Sequence, residues 1–219
     1  MRINKFVAQA TGLSRRAADT AIDHGLVRVN DHYPSAGQDV TADDVVLYEG
    51  KPITLRTTNT TILFHKPVGV ICSRDGQGGQ TIYDVLPEQY HKLKPVGRLD
   101  KHTSGLLLLT DDGQLAYTLT HPSQKKEKRY IVKLDKDLSE ADFETITRTG
   151  VKLEDGPSKL GLDSVNNKKT EWRITMHEGR NRQIRRTFEA LGYHVYTLHR
   201  THFGEYDLAD LPAGQLITV

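Results

Sequence analysis

Apolar and polar positions along the first fifty residues predict two short helices followed by a hairpin. The first helix has Asn4 as its cap and ends at Gly12, and the second is capped by Ser14 and ends at Gly25. Each helix carries its apolar residues on one face. The strand patterns of the hairpin lie at residues 26–30 and 45–48.

A polar stretch at residues 51–60 has no core-forming pattern and is interpreted as a linker. It separates a first domain, residues 1–50, from a second domain, residues 61–219, of ordinary size. In the second domain strand-like runs outnumber helical ones without regular alternation, which predicts an α+β fold with a mixed, mainly antiparallel sheet. The strand-like runs lie at 62–65, 68–72, 106–110, 130–134 and 171–176, and the helical patterns at 139–148 and 181–191.

The composition indicates a folded protein without membrane helices. Of the 219 residues, 37% are hydrophobic and 26% are charged, which is typical of a globular chain. The longest apolar run, at 105–109, is far shorter than the roughly 20 residues of a membrane helix. The N-terminus lacks the apolar core of a signal peptide, so the expected location is the cytoplasm. The single cysteine, Cys72, excludes an internal disulfide and a zinc-thiolate cluster.

Basic residues are clustered, although the net charge is only +2. Three such clusters predict a nucleic-acid partner, because arginine makes bidentate contacts with phosphates and bases. Arg15 and Arg16 begin the second predicted helix, where the helix dipole also favours phosphate. The alternative is that each cluster is a solvated face. The clusters comprise Arg2, Lys5, Arg15, Arg16 and Arg28; Lys125, Lys126, Lys128 and Arg129; and Arg180, Arg182, Arg185 and Arg186.

A candidate catalytic carboxylate, Asp100, lies in the loop Gly97-Arg98-Leu99-Asp100, just before the apolar strand at 106–110. A loop directly before a buried strand holds a functional side chain rigidly. From the local pattern alone, Asp100 as an ordinary turn cap is the stronger interpretation.

The segment at 96–113, VGRLDKHTSGLLLLTDDG, resembles the signature of the RsuA/RluB-type family of bacterial ribosomal RNA pseudouridine synthases. Residues 1–50 resemble the S4 RNA-binding module that precedes the catalytic domain in most members. Thr187 departs from the family, which commonly carries Met or Leu there, and is expected to loosen the packing behind its helix. Four more segments agree with the family in order and spacing: Lys66-Pro67-Val68-Gly69, the segment 121–130, the arginine-rich segment 178–186, and Leu198-His199-Arg200.

The resemblance implies an enzyme that flips a uridine out of structured RNA and rejoins its base to the ribose through C5. Asp100 is then the catalytic carboxylate, acting either as a nucleophile or as the group that deprotonates the sugar. Burial raises the pKa of a carboxyl group unless a cation compensates, so a paired arginine is expected, and Arg185 matches it. The other implied roles are stacking on uracil for Tyr130, packing on the base for Leu198, holding the flipped nucleotide for Arg98, and RNA contacts for Arg180, Arg182 and Lys128.

No cofactor and no metal are expected, because the isomerisation involves no net redox change or group transfer. The glycine-rich stretch at 75–80 lacks the ending of a phosphate-binding loop and is interpreted as a plain loop. Ribosomal RNA or a subunit precursor is the implied substrate, with the large subunit weakly favoured, and the chain is expected to be a monomer. The alternative function is a non-catalytic RNA-binding or ribosome-assembly factor that kept the fold.

Overall fold

A computed structural model describes residues 1–55, 58–76, 78–166 and 168–219 and divides the chain into two compact units, Met1–Asn59 and Thr60–Val219. The segment interpreted as a linker, 51–60, begins with a short strand, Lys51–Pro52, that pairs with the strand before it. Arg56 and Thr57 in that segment, and Gln77 in the glycine-rich stretch, lie outside the described residues.

The first unit consists of two helices and a three-stranded sheet. Ser14 caps the second helix as predicted, since its side chain accepts a hydrogen bond from the Ala17 amide. Asn4 is not a cap: the first helix begins one residue earlier, and the Asn4 side chain donates to Asp19 at 2.7 Å. The elements are α1 (Ile3–Thr11), α2 (Arg15–Asp23), β1 (Val27–Val29), β2 (Val46–Tyr48) and β3 (Lys51–Pro52), with sheet order β1-β2-β3.

The second unit is a mixed sheet with short helices, and its α+β class is the predicted one. Its strands are β4 (Thr61–Lys66), β5 (Lys94–Pro95), β6 (Ser104–Thr110), β7 (Lys128–Leu134), β8 (Val151–Leu153), β9 (Gly156–Ser158), β10 (Gly161–Ser164), β11 (Glu171–Met176), β12 (Val195–Phe203), β13 (Tyr206–Asp207) and β14 (Leu216–Thr218). Its α-helices are α3 (Gly113–Thr120), α4 (Glu140–Glu144) and α5 (Gln183–Glu189). A π-helical turn, Thr145–Thr149, continues α4.

The main sheet has the order β10-β11-β7-β12-β6-β4-β14. In addition, β5 pairs with β6, and β13 pairs with β12. All its pairings are antiparallel except that of β12 with β6, which is parallel. Gly105 permits the parallel contact: its φ is +109°, and a Cβ atom there would lie 2.2 Å from the carbonyl oxygen of Arg200. The loop that precedes β6 is therefore held against the middle of β12.

One local prediction in this unit is wrong, and one helix was missed. Residues 68–72 form no regular strand and contribute only an isolated bridge between Ile71 and Thr81. The helix α3 was not predicted, although Asp112 caps it by accepting hydrogen bonds from the amides of Gln114 and Leu115. In the described part of the chain, no helix has the length and apolar character needed to cross a bilayer.

Candidate active site

One cavity of about 600 Å³ opens in the second unit and brings together residues that are far apart in the sequence. Its size lies within the usual range for ligand pockets. Eight of the side chains singled out from the sequence line it: Arg98, Asp100, Lys128, Tyr130, Arg180, Arg182, Arg185 and Leu198. Basic residues dominate the lining, and the only carboxylates among its described residues are Asp100 and Glu178.

Asp100 lies half-buried in the loop before β6. Its backbone carbonyl accepts a hydrogen bond from the Thr103 amide at 3.0 Å, which closes a turn. The carbonyl of Thr103 in turn accepts a hydrogen bond from the fully buried Lys66 ammonium at 2.8 Å. The Lys66 side chain, at the end of β4, thus holds the loop that carries the carboxylate in place.

Two buried cations near Asp100 respond to its charge. Burial lowers the pKa of Lys66, and the negative charge of Asp100 opposes that effect. Burial also lowers the pKa of Arg185, and Asp100 again favours the charged form. Coulombic interactions strengthen away from water, so the carboxylate of Asp100 favours the charged forms of both buried cations.

Arg185, on α5, is 6% exposed and directs its hydrogen bonds to backbone rather than to the carboxylate. Its guanidinium donates to the carbonyl of Val195 at 2.8 Å and to the carbonyl of His102 at 2.7 Å. His102 follows Asp100 by two residues. Arg185 therefore fixes the far side of the same loop and acts on Asp100 through space.

Tyr130 and Leu198 lie on the neighbouring strands β7 and β12, both nearly buried and both lining the cavity. Tyr130 is directly opposite Arg200 across the two strands, and Leu198 lies two residues before Arg200. Because side chains two residues apart on a strand share a face, Leu198, Arg200 and Tyr130 point to the same side of the sheet. Together they provide an aromatic ring and an aliphatic group suited to a flat base.

Arg98 and Lys128 occupy different environments around the cavity. Arg98 is exposed, on the same loop as Asp100. Lys128 is half-buried on β7, where its ammonium lies 5.3 Å from the centre of the Phe203 ring. Burial lowers the pKa of Lys128, and the nearby charge of Arg200 lowers it further.

Arg180, for which the sequence suggested an RNA contact, lines the cavity and also makes hydrogen bonds within the protein. One Nη atom of its guanidinium donates to the backbone and carboxylate of Asp155 and to the carbonyl of Gly156, and the other donates to Pro157 at 2.8 Å. These contacts tie the β8–β9 hairpin to the segment before α5. Arg182, by comparison, is exposed and lies 3.8 Å from Glu189.

The expected loosening at Thr187 does not occur. Its side chain is fully buried, and its hydroxyl donates to the carbonyl of Gln183 at 2.8 Å and contacts the hydroxyl of Ser158 at 2.8 Å. The polar residue is compatible with this position because each of its hydrogen-bonding groups finds a buried partner.

Four of the basic residues in the first predicted cluster are the candidate RNA contacts of the first unit. Arg2 precedes α1, and Lys5 lies within it. Arg15 and Arg16 open α2, both exposed, with Arg15 donating to the side chain of Asn4 at 3.3 Å. Arg16 makes no side-chain hydrogen bond or ion pair with the described residues.

Sequence reasoning gave no role to Lys66 or Arg200, the two largest basic side chains that the structure buries completely. Both lie inside segments noted for their resemblance to the family. The local sequence gives little signal of their burial, because Lys66 ends β4 directly after His65 and Arg200 stands between histidine and threonine in β12. Basic residues are usually exposed, so the burial of both is decided by tertiary packing.

Comparison with known proteins decides the family. The model of the family described as RNA pseudouridylate synthase matches residues 60–190, and that of the S4 domain matches residues 1–46. The Bacillus subtilis (strain 168) protein named ribosomal large subunit pseudouridine synthase B is 37% identical over 220 residues, covering 97% of this chain and 89% of that protein. The chain belongs to the RNA pseudouridylate synthase family.

Two further relatives agree. The Escherichia coli O157:H7 protein of the same name is 35% identical, covering 97% of this chain and 77% of that protein. A solved structure described as a pseudouridylate synthase superposes with a TM-score of 0.71 at 31% identity, covering all of this chain and 96% of that one. The predicted family, fold and enzyme class are therefore confirmed: the chain is a pseudouridine synthase with an N-terminal S4 domain.

Proposed function

We propose that this pseudouridine synthase isomerises a specific uridine of ribosomal RNA, with Asp100 as the catalytic carboxylate. The observation that carries the proposal is the convergence of Asp100, Tyr130, Arg185 and Leu198 on one cavity of about 600 Å³. The names of the relatives, which specify the large ribosomal subunit, support a substrate in large-subunit RNA. The chain then works in the cytoplasm, as a monomer.

In this proposal the uridine leaves the stacked RNA and enters the cavity, because the ribose C1′ is inaccessible inside a helix. Tyr130 and Leu198 hold the base, and Arg98, exposed beside the Asp100 loop, contacts the flipped nucleotide. Asp100 acts on the ribose, by attack at C1′ or by taking a proton from the sugar. Lys66 and Arg185 keep its loop in place from two sides.

The S4 domain supplies the remaining RNA contacts in this proposal. Arg15 and Arg16 stand exposed at the start of α2, where unpaired backbone amides and the helix dipole add to their charge. Arg2 and Lys5 extend the basic face along α1. Arg182 and Lys128 contribute RNA contacts at the cavity itself.

The test is release of tritium from ribosomal RNA that carries uridine labelled at C5. We expect the wild-type chain to release tritium and Asp100→Asn to release none, because the amide can neither attack C1′ nor accept the proton. The matched control is Asp163→Asn, an exposed carboxylate on β10, which should keep full activity. A wild-type chain that releases no tritium from any ribosomal RNA or subunit precursor would refute the function, and an active Asp100→Asn would refute only the role of that residue.

A further inference from the structure

Arg200 is a buried cation on the wall of the cavity, and one nitrogen of its guanidinium is buried without a hydrogen-bond partner among the described residues. The side chain is 2% exposed, and its Nε donates to the carbonyl of Leu106 at 2.8 Å. Its Nη2 is buried without a partner among the described residues. A guanidinium has five N–H donors, and burying a donor without an acceptor is costly. The unpaired Nη2 is therefore suited to bind an anionic or carbonyl oxygen of a ligand in the cavity.

Lys128 brings a second positive charge to the same place. The Arg200 guanidinium lies 4.9 Å from the centre of the Phe203 ring and the Lys128 ammonium 5.3 Å from it, so both cations approach one aromatic side chain. Among the described residues, the Lys128 ammonium makes one hydrogen bond, a long one of 3.3 Å to the carbonyl of Glu178, whose carboxylate also favours the charged ammonium. Like charges held together in a partly buried space repel each other unless an anion joins them.

The position of this pair relative to the base-holding residues indicates what the anion is. Arg200 lies opposite Tyr130 in the sheet and two residues from Leu198, and all three line the cavity. Gly105, at the end of the Asp100 loop, pairs directly with Arg200 on the other side. In the sheet, Arg200 therefore lies between the strand that follows the Asp100 loop and the strand that carries Tyr130, and its side chain lines the same cavity as both residues.

We infer that Arg200 and Lys128 form an oxyanion site that stabilises the negative charge on the uracil when it leaves the ribose. When the N1–C1′ bond breaks, its electron pair stays with the uracil and the charge is shared by N1, O2 and O4. The electron-poor C1′ is meanwhile bonded by the Asp100 carboxylate, or the sugar loses its C2′ proton to that carboxylate. C5 then bonds to C1′ as the bond to Asp100 breaks or the proton returns to C2′, the proton on C5 departs, and a proton is returned to N1, so atoms and charge balance. Hydrogen-bond donors that are already positioned where the negative charge develops lower the activation barrier, because they need not reorganise during the reaction.

This inference rests on the proposed function, and its test measures rate and affinity separately. Arg200→Met is expected to lower the single-turnover rate on the labelled RNA by about 100-fold, the usual effect of losing one oxyanion donor, and to change RNA affinity by less than about threefold. Arg200→Lys keeps the charge and should recover about tenfold of that loss. Arg173→Met, an exposed arginine on the adjoining strand β11, is the matched control and should retain the wild-type rate.

Thermal unfolding separates this role from a structural one. Because the Arg200 side chain makes one hydrogen bond, to the carbonyl of Leu106, with the described residues, its replacement by methionine should leave the midpoint of unfolding within a few degrees of the wild-type value. A well-folded Arg200→Met with a rate within about threefold of wild type would overturn the inference. So would a loss of affinity at an unchanged saturated rate, which would assign Arg200 to phosphate binding.

A second variant covers the case in which Arg200→Met does not fold. Lys128→Met removes the half-buried partner, and we expect about a tenfold lower single-turnover rate at saturating RNA, separate from any loss of affinity that follows from its RNA contact. An unchanged rate in that variant would overturn the inference by itself. Failure of the wild-type chain to release tritium would instead refute the proposed function, so the two failures are distinguishable.

Discussion

The strongest structural prediction concerns Gly105, where β6 and β12 run parallel at close range. In Gly105→Ala the new Cβ would lie 2.2 Å from the oxygen and 2.6 Å from the nitrogen of the Arg200 backbone. Ordinary contact needs more than 3 Å, so the two strands must separate. The φ of +109° adds strain for any residue with a Cβ atom.

The expected cost follows from these two terms. Overpacking costs about 1–3 kcal/mol, and the unfavourable φ about 1–2 kcal/mol, for a total of about 2–5 kcal/mol. For a unit of this size, each kcal/mol lowers the midpoint of thermal unfolding by about 2–4 °C, so we expect a decrease on the order of 10 °C.

The assay is urea or thermal unfolding followed by tryptophan fluorescence. Trp172 on β11 is the only tryptophan of the chain, so the signal reports the catalytic unit alone. Gly192→Ala is the matched control, since Gly192 also has a positive φ, +79°, but no atom within 4 Å of a Cβ there. It should lose only about 1 kcal/mol. If Gly105→Ala lowers the free energy of unfolding by no more than Gly192→Ala does, the steric clash between the two strands does not have the predicted cost.

Two further predictions concern RNA binding and pH. Replacing Arg15 and Arg16 by glutamine should reduce the slope of log affinity against log salt by about 1.5, because two phosphate contacts are lost; an unchanged slope in filter binding would make them plain surface. Hydrogen bonds from Ser139, and to a smaller extent from Tyr193, lower the pKa of Asp142 below its ordinary value of 3.8. These hydrogen bonds therefore stabilise the folded state fully above pH 3.8, and their contribution is lost as the pH falls through the lower pKa of the folded state. Tyr193→Phe should therefore be less stable than wild type at pH 7, with a gap in urea midpoints that narrows below about pH 4; a gap independent of pH would contradict this.

Local sequence signals predicted local structure well where one residue controls the geometry. Ser14 caps α2 as expected because a side-chain oxygen at that position satisfies an amide that the helix leaves free. Asn4 offered a similar signal and was misread, because α1 begins one residue earlier and the amide bonds to Asp19 instead. The residue at the actual start of α1, Arg2, makes no side-chain cap hydrogen bond, so the composition offered no signal for it.

The sequence by itself determined the family, the fold class and the identity of Asp100, Tyr130, Arg185 and Leu198 as the residues to follow, because these lie in segments whose order and spacing match known relatives. Only the tertiary structure decided what the basic side chains do. Arg180 is engaged by the β8–β9 hairpin, Arg185 binds backbone carbonyls beside Asp100, and Arg200 is buried beside Tyr130 with unused donors. The partners of a long charged side chain come from strands distant in sequence, and only their packing determines which donors remain for the substrate.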